Sequence, residues 1–473
     1  MNQFQQDTYI PKNQRKKILL LSDDLRMPSG IGVMSKEIVF QTAQHYNWFQ
    51  VGAAIEHPEK GKLSDVSAEV NKLTGLNDSD VKILANNGYG NAELVRQLIL
   101  SEKIDAVLHY TDPRQWIWLY QMEHELRQNT PLLFYHVWDN LPYPYYNASY
   151  YESCDWIGCI SKQSLNIVEN VWKINPPEKW QLDYIPHGIN PDIYFPIDEQ
   201  KHPEDFKKMK EIEKMLYPNA EDVPELTILY NNRNIRRKLP GNVILAFKEF
   251  VDKLPEEKKR KVVLLMHTQP VDINGTDLPA VAQALAPDCR ILFSNNRVDS
   301  RDLNCIYNIA DVTINLGNAE GFGLGTAESL MAGTPIIATV TGGLQDQFRF
   351  EDENGEWINF TPQHPSNHDG KYKKHGGWGI PLFPVVSSMT GSPMTPYIFD
   401  DHCSWKEASD AMMTIYNMSR EERKQMGLKG RQWLLTEESG MNAIEMGKRF
   451  IKGIDATFDK WVPRQRYNLF IIK

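Results

Sequence analysis

Short apolar runs recur along this chain, most of them without a polar face, and helical patterns fill the stretches between them. The runs lie at 17–21, 106–110, 131–137, 156–160, 227–231, 262–267, 290–293, 312–316 and 335–339. A strand that is apolar on both faces must be covered on both faces, and parallel sheets flanked by helices do this. Helical spacing at 241–254 and 302–309 fits that arrangement. The pattern predicts an α/β doubly wound architecture that occurs twice. A length of 473 residues agrees, because it exceeds one typical domain.

The break between the halves is expected after YIPHGINPDIYFP (184–196), where three prolines and a glycine end the pattern. A charged stretch at 198–214 has helical spacing but little apolar surface, so it reads as a solvated helix in or near a linker. The expected division is 1–196, a linker at 197–224, and a second domain at 225–444. Residues 351–400 are rich in Gly, Pro, Asn, His and aromatics and carry turn signals, so they read as irregular. Such a long irregular segment in a compact protein is more often functional or mobile than incidental. Helical periodicity returns at 405–418, 420–435 and 441–459, the last with an apolar stripe of Phe450, Ile454, Phe458 and Trp461.

Composition removes several classes. A hydrophobic fraction of 41% and a charged fraction of 24% suit a soluble globular chain. No apolar run reaches the roughly 18–20 residues that span a membrane. The first residues, MNQFQQDTYIPKNQRKK, have no apolar core, so no signal peptide is expected. Five cysteines, sparse and odd in number, argue for a reducing compartment, and the expected location is cytoplasmic. Neither HExxH nor paired CxxC occurs, so no metal is expected. A net charge of −9 does not favour nucleic acid or anionic lipid as partner.

The most informative stretch for function is NAEGFGLGTAESLMAGTPIIA (318–338). It follows the apolar run 312–316 and gives the order strand, glycine loop, helix start. A helix N-terminus offers partial positive charge and unpaired N–H groups to an anion, and glycines let the backbone come close. Glu320 and Glu328 flank the glycines Gly321, Gly323 and Gly325. Carboxylates repel phosphate, so these two suit neutral hydroxyl-rich groups such as a sugar ring and a ribose. The inference is a nucleotide-sugar site.

A second element, YNNRNIRRKLPGNVILAF (230–247), places Arg233 and Lys238 after a strand end and before a helix. A guanidinium fork and a compact ammonium can neutralise a diphosphate leaving group. A basic solvated turn or a nucleic-acid patch would use the same residues, and Arg236 and Arg237 add further charge. Ser29–Gly30–Ile31–Gly32 is a glycine turn leading into a helix; it reads as a ligand loop or as a bare helix start. His136, at a strand end in FYHVWDN, reads equally as a functional or as a structural histidine, with Asp139 a weaker candidate.

E-G-F-G-x-x-x-x-E followed by S-L-M-A-G-T-P-I-I-A resembles the donor-site signature of retaining GT-B glycosyltransferases of the family 4 (group 1) type. The resemblance implies two Rossmann-like domains facing across a cleft, with the last helix (445–473) crossing back to the first, acceptor-side domain. It also implies that 351–400 is an insertion. It gives the backbone of Gly321, Phe322, Gly323 and Leu324 to the donor diphosphate, together with Arg233 and Lys238. Glu320 would hold sugar hydroxyls and Glu328 the ribose, while Gly30 and Gly32 would lie beside the donor phosphate and His136 beside the sugar. The base would sit near 294–298. Asn232 and Leu239 depart from the family pattern, which has glycines there.

The expected activity is retaining transfer of a sugar from a nucleotide-diphosphate sugar to a hydroxyl acceptor, with no obligatory cofactor or metal. The acceptor stays open among a glycan, a small molecule and modified DNA, and so does the oligomeric state. A basic N-terminal arm (Lys12, Arg15, Lys16, Lys17) keeps a DNA-modifying glycosyltransferase among the alternatives. A sugar-nucleotide epimerase, a phosphorylase and an inactive nucleotide-sugar-binding module are the others.

Overall fold

Two parallel sheets organise the chain. The computed structural model describes residues 1–294 and 298–465. It divides into two compact units. Unit 1 comprises 1–138, 143–188 and the chain from 442 onward; unit 2 comprises 139–142 and 189–441.

In unit 1 the strands are β1 (Lys17–Asp23), β2 (Asn47–Ala54), β3 (Leu63–Asp65), β4 (Val81–Asn87), β5 (Ala106–Tyr110), β6 (Leu132–His136), β7 (Trp156–Cys159) and β8 (Leu182–Tyr184). Their order is β3-β4-β2-β1-β5-β6-β7-β8, parallel except where β3 pairs antiparallel with β4 at the edge. β1, β5, β6 and β7 match apolar runs in the sequence. β2 carries a glutamine at its centre and gives no such run. Gln50 is nonetheless buried, because it donates to Ser22 Oγ (2.9 Å) and the Asp23 carbonyl (2.8 Å) and accepts from the Leu25 N–H (3.1 Å). A buried amide is tolerated when its hydrogen bonds are made.

The helix Ala443–Lys460 belongs to unit 1. Phe450 and Ile454 are fully buried on it, and Phe450 meets Tyr135 with ring centroids 4.9 Å apart. Asp455 on the same helix accepts from Tyr46 Oη at 2.7 Å and lies 2.9 Å from His45 Nε2. The last helix is thus tied to β6 and to the residues just before β2; residues 466–473 of the expected element lie outside the described residues.

Unit 2 contains β9 (Leu226–Asn231), β10 (Val262–His267), β11 (Ile291–Ser294), β12 (Val312–Asn315), β13 (Ile336–Thr339) and β14 (Gly379–Leu382). All are parallel, in the order β11-β10-β9-β12-β13-β14. Counted from β9 this is the order 3-2-1-4-5-6 of a dinucleotide-type sheet, whose switch point lies between β9 and β12. Phe247 and Phe250 of the helix Pro240–Asp252 share a core with Met412 and Ile415 of the helix Trp405–Asn417.

Two expectations need correction. The segment 197–224 is no free linker. Its helix Pro203–Leu216 is part of unit 2, with Met209 buried and Lys208 ion-paired to Asp302. Tyr217 is buried beyond it, its hydroxyl 3.1 Å from Thr227. One methionine and one tyrosine at the right places dock a segment whose average polarity looks solvated. The stretch 351–400 is not irregular throughout either. It supplies β14 and most of a hairpin, β15 (Val386–Ser392) with β16 (Thr395–His402). Pro381 and the neighbouring glycines hid β14, an edge strand where proline is admissible.

Candidate active site

The switch point of unit 2 brings together the loop after β9 and the loop after β12. In such sheets ligands bind outside the carboxyl ends of the strands at this place. The two loops are stitched by main-chain and side-chain bonds. The Asn318 N–H donates to the Arg237 carbonyl (2.9 Å), and Arg237 Nη1 donates to the Ala319 carbonyl (2.7 Å). Lys238 Nζ then donates to Glu320 Oε1. Both side chains of that pair are buried, and Arg237 Nη1 stands 3.6 Å from Glu320 Oε2. Asn315, the last residue of β12, donates from Nδ2 to Glu320 Oε1 at 3.0 Å and fixes the carboxylate from below. Burial works to raise the Glu320 carboxyl, but Lys238 and Arg237 outweigh it and hold it below its ordinary value.

The helix Leu324–Met331 starts from Gly323, which has φ +89°, and among the described residues no side chain caps its first N–H groups. A Cβ on Gly323 would stand 2.5 Å from Leu344. Gln347 Nε2 donates to the carbonyls of Phe322 (2.7 Å) and Gly323 (3.0 Å), so these oxygens are turned to the protein. The first-turn N–H groups of this helix are the kind that bind an anion. Phe322 is buried, whereas Gly321, Leu324 and Gly325 are part-exposed. A Cβ on Gly325 would lie 2.8 Å from the Asn231 carbonyl, so the helix start and the end of β9 are in close contact.

Glu328 is buried one turn into this helix, and Tyr307 donates to its Oε2 at 2.7 Å. Asn231 Nδ2 in turn donates to the Tyr307 hydroxyl (2.6 Å). Burial pushes the Glu328 carboxyl up to about 7, against hydrogen bonds from Tyr307 and Tyr194. Asp139 also belongs to unit 2. Burial raises it to about 6, with Arg237 pulling it down and Glu320 pushing it up. Among the described residues no group of His, Cys, Asp and Glu is placed to hold a metal ion.

Of the residues singled out from sequence, the structure joins Lys238 and Glu320 directly and sets Gly321, Phe322, Gly323, Leu324 and Glu328 on the adjoining loop and helix. Arg233 is not in the cluster. Its side chain is 64% exposed and its Nε lies 3.4 Å from Asp272 Oδ2. Arg237 takes the place beside Glu320, and the run of three cations at 236–238 was its only sequence signal.

Gly30 and Gly32 lie in unit 1 at the start of the helix Gly30–Thr42, which Ser29 caps by accepting from the Gly32 N–H (2.9 Å). His136 is fully buried in unit 1, its Nε2 is 3.0 Å from the Tyr151 hydroxyl, and burial drives its pKa down to about 3. Of the expected base loop at 294–298, residues 295–297 lie outside the described residues.

Comparison with known proteins follows this geometry. The fold is GT-B. The HepE protein of Anabaena, solved with UDP and glucose, superposes with a TM-score of 0.62 at 12% identity, covering 93% of this chain and 100% of its own. Sucrose-phosphate synthase from Thermosynechococcus elongatus gives 0.61 at 15% identity, with 93% and 100% covered. A glycosyltransferase from Rickettsia africae gives 0.59 at 15% identity, with 94% and 99% covered. Residues 212–366, which contain the cluster except Asp139 and Tyr194, match the family described as glycosyl transferases group 1. No curated protein sequence matches the chain.

Proposed function

We propose that the protein is a retaining glycosyltransferase that moves a sugar from a nucleotide-diphosphate sugar to a hydroxyl acceptor. The observation that carries this reading is the buried Lys238–Glu320 pair at the switch point, next to an uncapped helix start. The match of 212–366 to group 1 glycosyl transferases supports it, and so do similar structures solved with UDP and glucose.

In this reading the diphosphate rests on the N–H groups of 321–325 and draws on Lys238. Arg233 swings from Asp272 to join it; an exposed pair of this kind holds a side chain weakly. Glu320 turns to the sugar hydroxyls and Glu328 to the ribose. The bond from the anomeric carbon to the diphosphate breaks, and its electron pair leaves on the phosphate oxygen. Cations placed beforehand stabilise that charge while the sugar becomes oxocarbenium-like. The acceptor oxygen then bonds the anomeric carbon and its proton is released. Retention of configuration rests on the family resemblance.

A thermal-shift screen of the purified protein against nucleotide sugars tests the reading. At least one should raise Tm, and that donor should be turned over with its anomeric configuration kept. If no nucleotide sugar binds and none is hydrolysed, the reading is wrong.

A further inference from the structure

This inference rests on the donor-site reading above and concerns the hairpin that follows β14. Its second strand makes two sets of contacts two residues apart. At Phe399 the backbone N–H donates to the Leu141 carbonyl (2.7 Å), and Asn140 Nδ2 donates to the Phe399 carbonyl (3.2 Å). The short segment 139–142 is thereby held in unit 2, although the chain on either side of it belongs to unit 1.

At Asp401 the backbone N–H donates to the Asn318 carbonyl (2.9 Å), at the foot of the Glu320 loop. The Asp401 carboxylate, 1% exposed, accepts from Ser387 Oγ (2.6 Å), Thr341 Oγ1 (2.9 Å), Ser366 Oγ and Asn367 Nδ2 (both 3.2 Å). One buried carboxylate thus ties the hairpin, the loop 364–370 and the loop after β13 into one body.

That last loop packs on the donor loop itself. The Gly343 N–H donates to the Glu320 carbonyl (2.9 Å). Gly342 has φ +48°, and a Cβ there would stand 2.1 Å from the Glu320 carbonyl and 2.8 Å from Asp139 Oδ2. The Asp139 carboxylate therefore lies against Gly342, and Arg237, Lys238 and Glu320 all act on its charge. The residue is half-buried, and among the described residues no other side chain hydrogen-bonds to it. A carboxylate in this place would repel a diphosphate. It suits the neutral, hydroxyl-bearing part of a nucleotide sugar, where it can accept a hydrogen bond.

We infer that Asp139 recognises a hydroxyl of the transferred sugar, and that the hairpin, through Asp401, is the device that positions it. Asp139 touches the substrate in this scheme; Asp401 is a positioning residue that acts through the loops at 318 and 341 and the strand at 399.

Calorimetric titration separates the two parts of a donor. The probes are UDP, GDP and ADP, each bare and as its glucose, galactose and mannose conjugates. For the best-binding pair, Asp139→Ala should leave the bare nucleotide within twofold and weaken the conjugate at least tenfold. Asp401→Ala should give the same split, and the double variant should be no weaker than Asp139→Ala alone, since both remove one interaction. Thr341→Val replaces Asp401→Ala if that protein does not fold.

Equal effects of Asp139→Ala on bare nucleotide and conjugate, or none on either, overturn the inference. So does a wild type that binds every conjugate no better than the bare nucleotide. A wild type that binds no nucleoside diphosphate at all overturns the donor reading instead.

Discussion

Lys238 and Glu320, 82 residues apart in sequence, form a buried ion pair at the junction of the β9 and β12 loops. Such a pair holds two loops in register, but its desolvation makes each partner dependent on the other.

Removing one partner should therefore cost stability as well as activity. Lys238→Ala and Glu320→Ala should each abolish transfer, and each should lose about 3–5 kcal/mol of unit 2 stability. A paired substitution, Lys238→Met with Glu320→Leu, should recover most of that stability and none of the activity. Chemical denaturation followed by tryptophan fluorescence reads the first, and a donor-turnover assay the second. Single variants as stable as the wild type would show that the pair is not buried in solution.

Glu328 makes stability depend on pH. Its carboxyl is raised from 4.5 to about 7, so between these values the folded protein binds a proton that the unfolded chain does not. Stability falls as pH rises through this window, and the cost is complete above pH 7, at about 3 kcal/mol. Glu328→Gln removes it. The variant should melt several degrees above the wild type at pH 8 and close to it at pH 4.5. An equal difference at both values would contradict the raised carboxyl.

Arg233 and Arg237, two of the three arginines of the β9 loop, should separate cleanly. Arg233→Ala should weaken binding of a nucleoside diphosphate about tenfold, as loss of a charge-assisted contact does. Asp272→Asn frees Arg233 and should leave that affinity equal or stronger. Arg237→Ala should instead lower turnover, because Arg237 is tied to the Ala319 carbonyl and steadies the Glu320 loop. Titration of the three variants decides which cation meets the diphosphate.

Gly342→Ala should be severe. The left-handed φ and the 2.1 Å approach to the Glu320 carbonyl leave no place for a methyl group. Transfer should drop at least a hundredfold. Gly241→Ala, where a Cβ meets nothing within 4 Å, is the matched control and should be neutral or slightly stabilising.

The strands that sequence reveals best are those whose environment is uniform. β5 (Ala106–Tyr110) and β10 (Val262–His267) are apolar but for His109 and the terminal His267, and both fall at the expected residues. β2 is hidden because Gln50 is satisfied by partners that only the fold brings near it. The same holds for the site. Glu320, Glu328 and Lys238 stand in a local pattern of glycines and a helix start. Arg237 is masked by its neighbours, and Asn315 reads as the polar end of a strand. Asp401 has no local signature, because its four hydrogen-bond donors come from residues 341, 366, 367 and 387. His136, at a strand end, gives no local sign of its full burial, which only the fold reveals.

The passage at 139–142 has a practical side. A fragment running only from 189 to 441 would lack it, leaving the Phe399 amide proton without the Leu141 oxygen and the β16 edge open to other chains. Anyone isolating unit 2 of this protein should therefore supply those four residues as a linked or added peptide, or expect a sticky preparation.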